Sequence, residues 1–207
     1  MKTLFIDTSS KDVSIAIVSE NKILASIHQS IPNAHSVYTV IFIDQVIKEA
    51  GLTPQDIDAI LVVTGPGSFT GVRIGVTIAK TYAYLNKIKI VGVSSLKMMS
   101  LSCEHDYCLS LIDARHHNYY VGLYDKNNDE VIEEVFNHED YVLDIIKKYK
   151  PNIVSDCDMM IGKVELKKQE LDILKIVAYY QDHESLNPHL VVPNYLKLPQ
   201  ALESCHD

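Results

Sequence analysis

The chain has 207 residues, of which 47% are apolar, and a formal net charge of −8 at pH 7; this is enough chain to bury a substantial core in one large domain or two small lobes. The acidic balance argues against nucleic-acid binding by the chain alone, because such binding needs clustered Lys and Arg to neutralise phosphates. There is no secretory start, no apolar run near the roughly 20 residues of a membrane span, and no C-x-x-C pair among the four cysteines, so we expect a soluble, cytoplasmic, reduced chain that contacts no membrane.

The first half opens with a strand that ends in an acidic turn at Asp7 and continues into a hairpin. The alternation of Val13, Ile15 and Ile17 has the period of two that is typical of a strand, and the hairpin turn falls at Asn21. Helical and strand patterns then alternate. We predict helices over residues 34–50 and 70–85, and strands over residues 57–63 and 90–93.

The second half repeats this plan. Ile6-Asp7 recurs as Ile112-Asp113, an offset of 113 − 7 = 106 residues, and at the same offset residues 13–17 fall on 119–123 and Asn21 falls on Asn127. A helix over residues 139–149 and a strand over 153–155 follow. We therefore predict two α/β lobes with mixed sheets, residues 1–103 and residues 104–207 with an extended tail, joined near residues 100–106. The basic clusters of this half are interpreted as solvated helix faces: Lys147, Lys148 and Lys150, and Lys163 with Lys167 and Lys168.

A glycine-rich junction, GPGSFTGVRIG over residues 65–75, lies between a predicted strand and a predicted helix. Free amide groups at a helix N-terminus can bind an anion, so Gly65, Gly67 and Ser68 are candidate anion contacts. The spacing fits neither the P-loop nor the dinucleotide-binding fingerprint. A tight turn without any ligand explains the composition equally well.

The junction string resembles the signature of the bacterial TsaB (YeaZ) family, and further matches follow in the family's order along nearly the whole chain. These are Ile6-Asp7-Thr8-Ser9, Ala34-His35-Ser36, Val91-Gly92-Val93-Ser94-Ser95-Leu96, Ile112-Asp113-Ala114-Arg115 with Tyr119-Tyr120, and Pro193-Asn194-Tyr195-Leu196. The chain is somewhat shorter than we expect for the family, mostly between residues 150 and 187.

The resemblance implies the duplicated actin-like, ribonuclease-H-like α/β fold. It also implies a non-catalytic subunit of the complex that makes threonylcarbamoyladenosine at position 37 of tRNA, with no cofactor of its own. Its partners would be a TsaD-like transferase and a TsaE-like ATPase, with tRNA reached only indirectly. The alternative is a stand-alone ATPase or phosphotransferase of the same fold. A metal-dependent peptidase is a third possibility, but neither H-E-x-x-H nor G-x-S-x-G is present.

In that fold, nucleotide phosphates lie against the acidic turn that opens each half, where active enzymes carry glycine. Here Asp7 is followed by Thr8-Ser9-Ser10, and Asp113 by Ala114-Arg115. Asp7 could orient a metal-bound water or cap its turn, and Asp113 with Arg115 could hold an anion or form a local salt bridge. We favour the structural role for both. The candidate nucleotide or anion contacts are Asp7, Gly65, Gly67, Ser68, Asp113 and Arg115.

A catalytic metal is not expected. The TsaD/Kae1 relatives bind metal through H-x-x-x-H on the first long helix, where residues four apart share one face. In this chain His35 is followed at that spacing by Thr39, and His116 and His117 are adjacent. A single histidine on a helix is more often a cap or core residue than a metal ligand.

The first long helix has two apolar faces. One is expected to cover the sheet: Val40, Phe42, Ile43, Val46, Ile47 and Ala50. The second face carries Val37, Tyr38 and Ile41 beside charged neighbours. A helix that is buried on one side only would not need this second apolar face. The next helix carries a ridge of small residues that either admits a partner backbone or packs on the chain's own sheet. The resemblance implies that both helices serve homodimers and docking of the catalytic subunit. The predicted interface comprises Val37, Tyr38, Ile41, Asp44, Gln45, Lys48, Gly71, Gly75 and Ala79.

Overall fold

The structure is a computed structural model that describes residues 1–32, 34–103 and 106–197. The first half forms a five-stranded mixed sheet in the order β3-β2-β1-β4-β5. The central strand β1 is buried along its whole length, since it pairs antiparallel with β2 and parallel with β4. The strands are β1 (Thr3–Asp7), β2 (Asp12–Ser19), β3 (Lys22–Ser30), β4 (Ala59–Gly65) and β5 (Lys89–Ser94).

Two helices, α1 (His35–Glu49) and α2 (Phe69–Asn86), cover one face of this sheet. Phe42 and Val46 of α1 and Val76 of α2 lie in one core cluster with the apolar residues of β1, β2 and β4. Helix α2 begins at Ser68, whose hydroxyl accepts a hydrogen bond from the Gly71 amide at 3.2 Å. The predicted helices and strands of this half are therefore present.

The other face of the first sheet is covered by a helix from the second half of the chain. Ile176, Val177 and Tyr180 of α5 (Ile173–Tyr180) pack in a cluster with residues of β1, β2, β4 and β5. The chain then returns along the first lobe, where the Asn194 amide donates to the Thr64 carbonyl at 2.8 Å. The packing thus differs from the predicted division at residue 103, because the segment from α5 onward completes the first lobe.

The second half repeats the first. Its four-stranded sheet has the order β8-β7-β6-β9, which matches β3-β2-β1-β4, and α4 (Glu139–Tyr149) follows the hairpin as α1 does. Its ends agree with the helix predicted from the sequence. The repeat of strand, acidic turn and hairpin is confirmed. The strands are β6 (Tyr107–Asp113), β7 (Asn118–Asp125), β8 (Glu130–His138) and β9 (Asn152–Ser155).

Besides α5, three short elements were not predicted. Helix α3 (Ser95–Ser100) packs Met98 on the first sheet and Leu96 and Met99 on the second, so the segment just before the predicted join at residues 100–106 is a core that both sheets share. Strands β10 (Met159–Ile161) and β11 (Val164–Leu166) form a hairpin. Lys163 therefore lies at a hairpin turn and not on a helix, and Lys167 and Lys168 directly follow β11. Short 3₁₀ turns occupy Pro54–Asp56 and Pro188–Leu190.

The described part of the chain has no helix that is both long and apolar enough to span a bilayer. Among the described residues, Cys103, Cys108 and Cys157 form no disulfide, and Cys205 lies outside the described residues.

Candidate functional site

The glycine-rich junction packs tightly against the turn that follows β1. A Cβ atom at Gly67 or Gly71 would lie less than 3.0 Å from the carbonyl oxygen of Ser9 or Thr8, respectively, closer than side chains approach. The Ser68 amide donates to the Ser9 carbonyl at 2.6 Å. Of the junction residues predicted to contact an anion, Gly65, Gly67 and Ser68, the last therefore has its amide bonded within the chain. Of the two alternatives for the junction, the tight turn fits this geometry.

Asp7 is buried and holds that turn from the other side. Its Oδ1 accepts hydrogen bonds from the Ser9 amide at 2.8 Å and the Ser9 hydroxyl at 2.7 Å. Burial raises the pKa of the Asp7 carboxyl, and the two bonds from Ser9 partly oppose the rise. This geometry fits the turn-capping role favoured from the sequence.

A cleft of about 540 Å³ lies between the two sheets and is bordered by the junction. Asp7 and Asp156 line it from the ends of β1 and β9, and Lys168 closes it with an ion pair to the buried Asp12. Burial raises the pKa of Asp156, whose Oδ1 accepts from the Asp113 amide at 3.4 Å. Burial alone would raise the pKa of Asp12, but hydrogen bonds from Lys168 and Ser30 outweigh it and hold that pKa below its ordinary value.

Asp12, Asp156 and Lys168 were not predicted from the sequence. Asp12 and Lys168 are separated by 156 residues, and no local pattern connects them. The repeat gave the only available signal, because it pointed to the strand ends of both halves.

We expect Asp12→Asn and Asp7→Asn to change stability with opposite signs. The folded-state pKa of Asp12 lies below its unfolded value, so its contribution is present above about pH 4 and is lost as the pH falls through the folded pKa. Asp12→Asn should therefore cost about 2 kcal/mol at pH 7, and less in acid.

For Asp7 the folded-state pKa is raised, so its contribution is present in acid and is lost as the pH rises through that pKa. Asp7→Asn keeps the oxygen that accepts from Ser9 and removes a buried charge, so stability at pH 7 should stay or increase. Urea unfolding between pH 3 and pH 7 measures both variants. A comparable loss in both at pH 7 would contradict this reading of the turn.

The second acidic turn lacks the side-chain salt bridge that was one of the two alternatives for it. Asp113 Oδ1 accepts from the backbone amide of Arg115 at 2.8 Å, so the local salt bridge between the two side chains is replaced by a turn hydrogen bond. Arg115 has a φ of +69°. It lines a second pocket of about 500 Å³ together with Phe69, Tyr120 and Tyr195. An anion contact at Arg115 stays a prediction.

His35 is buried at the start of α1. Its Nε2 donates to the Ser10 carbonyl at 2.9 Å, and the Thr39 hydroxyl donates to the His35 carbonyl at 2.6 Å. Both side chains thus hold the chain's own backbone. We expect metal analysis of the protein purified alone to find no stoichiometric metal, because one imidazole gives too few ligands for a stable site. About one zinc or iron per chain that is lost in His35→Ala would contradict this.

The second apolar face of α1 is exposed in the structure. Val37, Tyr38 and Ile41 are 60%, 42% and 51% exposed. Val40, which was predicted to cover the sheet, is 54% exposed, so that assignment is wrong. Thr39 takes the buried position instead, because it lies one helical turn from Ile43 on the face that meets the sheet. We define the α1 strip as Val37, Tyr38, Val40 and Ile41.

The predicted polar neighbours border the α1 strip. Lys48 pairs with Asp44 at 2.6 Å, and Gln45 Nε2 donates to Glu49 at 2.8 Å. All four side chains are exposed. The strip therefore has an apolar centre and a charged rim, as partner-binding surfaces do.

The ridge of small residues on α2 is buried inside the chain. Gly71 and Gly75 face Thr8, whose hydroxyl donates to the Gly71 carbonyl at 2.7 Å, and Ala79 is 0% exposed. The prediction that these three residues receive a partner backbone is therefore wrong. The glycines instead let α2 approach the turn after β1.

A family model described as TsaD, tRNA N6-adenosine threonylcarbamoyltransferase, matches residues 22–172. The Bacillus subtilis tRNA threonylcarbamoyladenosine biosynthesis protein TsaB is 31% identical, over 97% of this chain and 96% of the relative. The Escherichia coli protein of the same name is 30% identical, over 63% of this chain and 58% of the relative. The solved YeaZ from Pseudomonas aeruginosa has a TM-score of 0.78 at 22% identity and covers 94% of this chain and 99% of its own. The last comparison confirms the predicted duplicated actin-like fold.

Proposed function

Since the chain belongs to the TsaB family of tRNA threonylcarbamoyladenosine biosynthesis proteins, we propose that it acts as a non-catalytic subunit. In this role it binds and activates a TsaD-like threonylcarbamoyltransferase, alongside a TsaE-like ATPase. The chain contributes a docking surface to the complex, and its partners provide most of the binding affinity for tRNA.

The observation that carries this proposal is the α1 strip. Four apolar side chains on one helix are each more than 40% exposed, whereas the opposite face of the same helix is packed in the core. Contiguous exposed apolar patches with polar borders commonly mark protein interaction sites, whereas single exposed apolar residues do not. Helix α2 lies beside α1 in the same core cluster, so the exposed residues of α2 that border α1 extend the surface. We propose that the same surface forms a homodimer when the transferase is absent.

The acidic turns support the non-catalytic part of the proposal. Asp7 is bonded to Ser9, Asp113 is bonded to the Arg115 amide, and His35 is bonded to Ser10. Each of these side chains already stabilises a turn of its own chain.

The cleft favours a second candidate, a stand-alone ATPase or phosphotransferase. It is large enough for a small ligand and contains the carboxylates of Asp7 and Asp156. ATP turnover by the purified chain separates the two candidates. The non-catalytic subunit shows no turnover, whereas the second candidate shows turnover that is lost in Asp156→Asn.

The decisive experiment mixes the full chain with its TsaD-like partner. We expect the two to co-elute from a sizing column, and the mixture with a TsaE-like ATPase to form threonylcarbamoyladenosine on tRNA faster than the transferase alone. Separate elution together with unchanged modification would contradict the proposal.

A further inference from the structure

Two stretches of this acidic chain without Asp or Glu are residues 59–103 and residues 185–202, and residues 21–43 lack them as well. The first of the two includes α2, and the second includes the returning segment after α5. Residues 59–103 are the longest such stretch in a chain that has 27 acidic and 19 basic residues.

The fold places these two stretches side by side. Lys80 on α2 donates to the His189 carbonyl at 3.2 Å, and the Tyr84 and His189 rings lie 5.2 Å apart. Arg73 donates through Nε to the Tyr195 hydroxyl at 2.5 Å. Two segments more than 100 residues apart therefore form one surface without a carboxylate.

The cations of α2 share one stripe of that surface. The outward residues recur at spacings of four and three, which keeps them on one side of a helix. Arg73 and Lys80 are seven residues apart, or about 10 Å along the helix, and Lys87 caps the C-terminal end of α2. In the described part of the chain none of the three forms an ion pair with a carboxylate. We define the basic strip as Arg73, Thr77, Lys80, Tyr84 and Lys87.

The basic strip also presents aromatic surface. The Arg73 guanidinium lies 3.6 Å from the centre of the Phe69 ring, which holds it in place. Phe69 and Tyr84 are 45% and 60% exposed. Held cations next to exposed rings suit RNA, since the cations bind phosphates and the rings stack on unpaired bases.

We propose that the basic strip contacts the backbone of the substrate tRNA in the assembled complex. This inference rests on the proposed function, which supplies the complex, and it adds a direct contact to the indirect one expected from the sequence. The strip does not overlap the α1 strip. Lys80 and Tyr82 are about 200° apart around α2, and Tyr82 faces the α1 side, where its hydroxyl donates to Pro54 at 2.8 Å.

The strip contributes only part of the affinity for tRNA. Three cations on an otherwise acidic surface neutralise few phosphates, so the chain alone is not expected to retain tRNA at physiological salt. When the chain is bound to a transferase that holds the same tRNA, the basic strip is a second contact on one ligand. Because the tRNA is already held nearby, even a weak second contact increases the overall affinity measurably.

The test compares Lys80→Gln/Lys87→Gln with a matched control, Lys147→Gln/Lys148→Gln, which removes two exposed cations from α4. Each double variant is assembled with the TsaD-like transferase and titrated with an unmodified tRNA transcript at several salt concentrations. The strip variant should assemble normally and bind tRNA roughly tenfold more weakly, and its salt dependence should fall by about 0.7–0.9 in log–log slope per cation removed. The control should match the wild type.

Unchanged affinity and slope in the strip variant would overturn the proposal. Loss of assembly in that variant would also overturn it, by showing that the strip docks a protein and not RNA. A wild-type chain that does not assemble with the transferase at all contradicts the proposed function and this inference with it, and the control variant then behaves no differently from wild type.

Discussion

Ile41→Glu is expected to abolish assembly while leaving the monomer folded. Ile41 is 51% exposed at the centre of the α1 strip, so a carboxylate there is hydrated in the free monomer. In a docked interface the same carboxylate would be buried without a partner, at a cost of several kcal/mol. The variant should keep the thermal unfolding of the monomer, fail to dimerise, fail to co-elute with the TsaD-like subunit, and fail to support tRNA modification.

Val131→Glu is the matched control for this variant. Val131 is an exposed apolar residue of β8 in the other lobe, so the change adds the same charge away from α1. It should assemble and support modification normally. An Ile41→Glu protein that unfolds would show that the strip belongs to the core, and one that assembles like the control would place the interface elsewhere.

Gly71→Ala and Gly75→Ala are expected to destabilise the monomer strongly, although each adds a single methyl group. At Gly71 the new Cβ would overlap the carbonyl oxygen of Thr8, which is backbone and cannot rotate away. At Gly75 it would overlap the Thr8 hydroxyl. Each variant should lose about 3 kcal/mol of unfolding free energy by overpacking. Urea unfolding measures the loss, and Thr77→Ala on the exposed face of α2 should stay within about 0.5 kcal/mol of wild type.

Thr8→Ala separates the two glycines. It removes the hydroxyl that obstructs a Cβ at Gly75, where the next atom of Thr8 lies at 3.5 Å, an ordinary contact distance. It leaves the carbonyl oxygen that obstructs Gly71. The double-mutant cycle should therefore show strong coupling for Thr8 with Gly75 and little for Thr8 with Gly71. Equal coupling in both pairs would mean that the helix shifts as a body and that the specific contacts do not matter.

Local patterns predicted much of this fold. The alternation of apolar and small or polar residues in β2 and the 106-residue repeat of Ile6-Asp7 located the strand, acidic turn and hairpin of both halves, although β2 is buried on both faces. Three of the four residues of the α1 strip, Val37, Tyr38 and Ile41, were also predicted, since a helix face is fixed by spacings of three and four. Val40 was misplaced because hydrophobicity alone does not say how wide a face the sheet covers.

The sequence by itself determined the repeated α/β plan, the position of the glycine-rich junction after β4 and an apolar strip on α1 with no use inside a single lobe. Only the tertiary structure decided which surface packs on the ridge of Gly71, Gly75 and Ala79. Small residues indicate that another backbone approaches closely, but they do not indicate which one. The tertiary structure also decided the pairing of Asp12 with Lys168 and the return of α5 and the tail to the first lobe. These contacts join residues that are far apart in the chain. Packing of the whole fold determines which residues meet, so local sequence spacing cannot predict them.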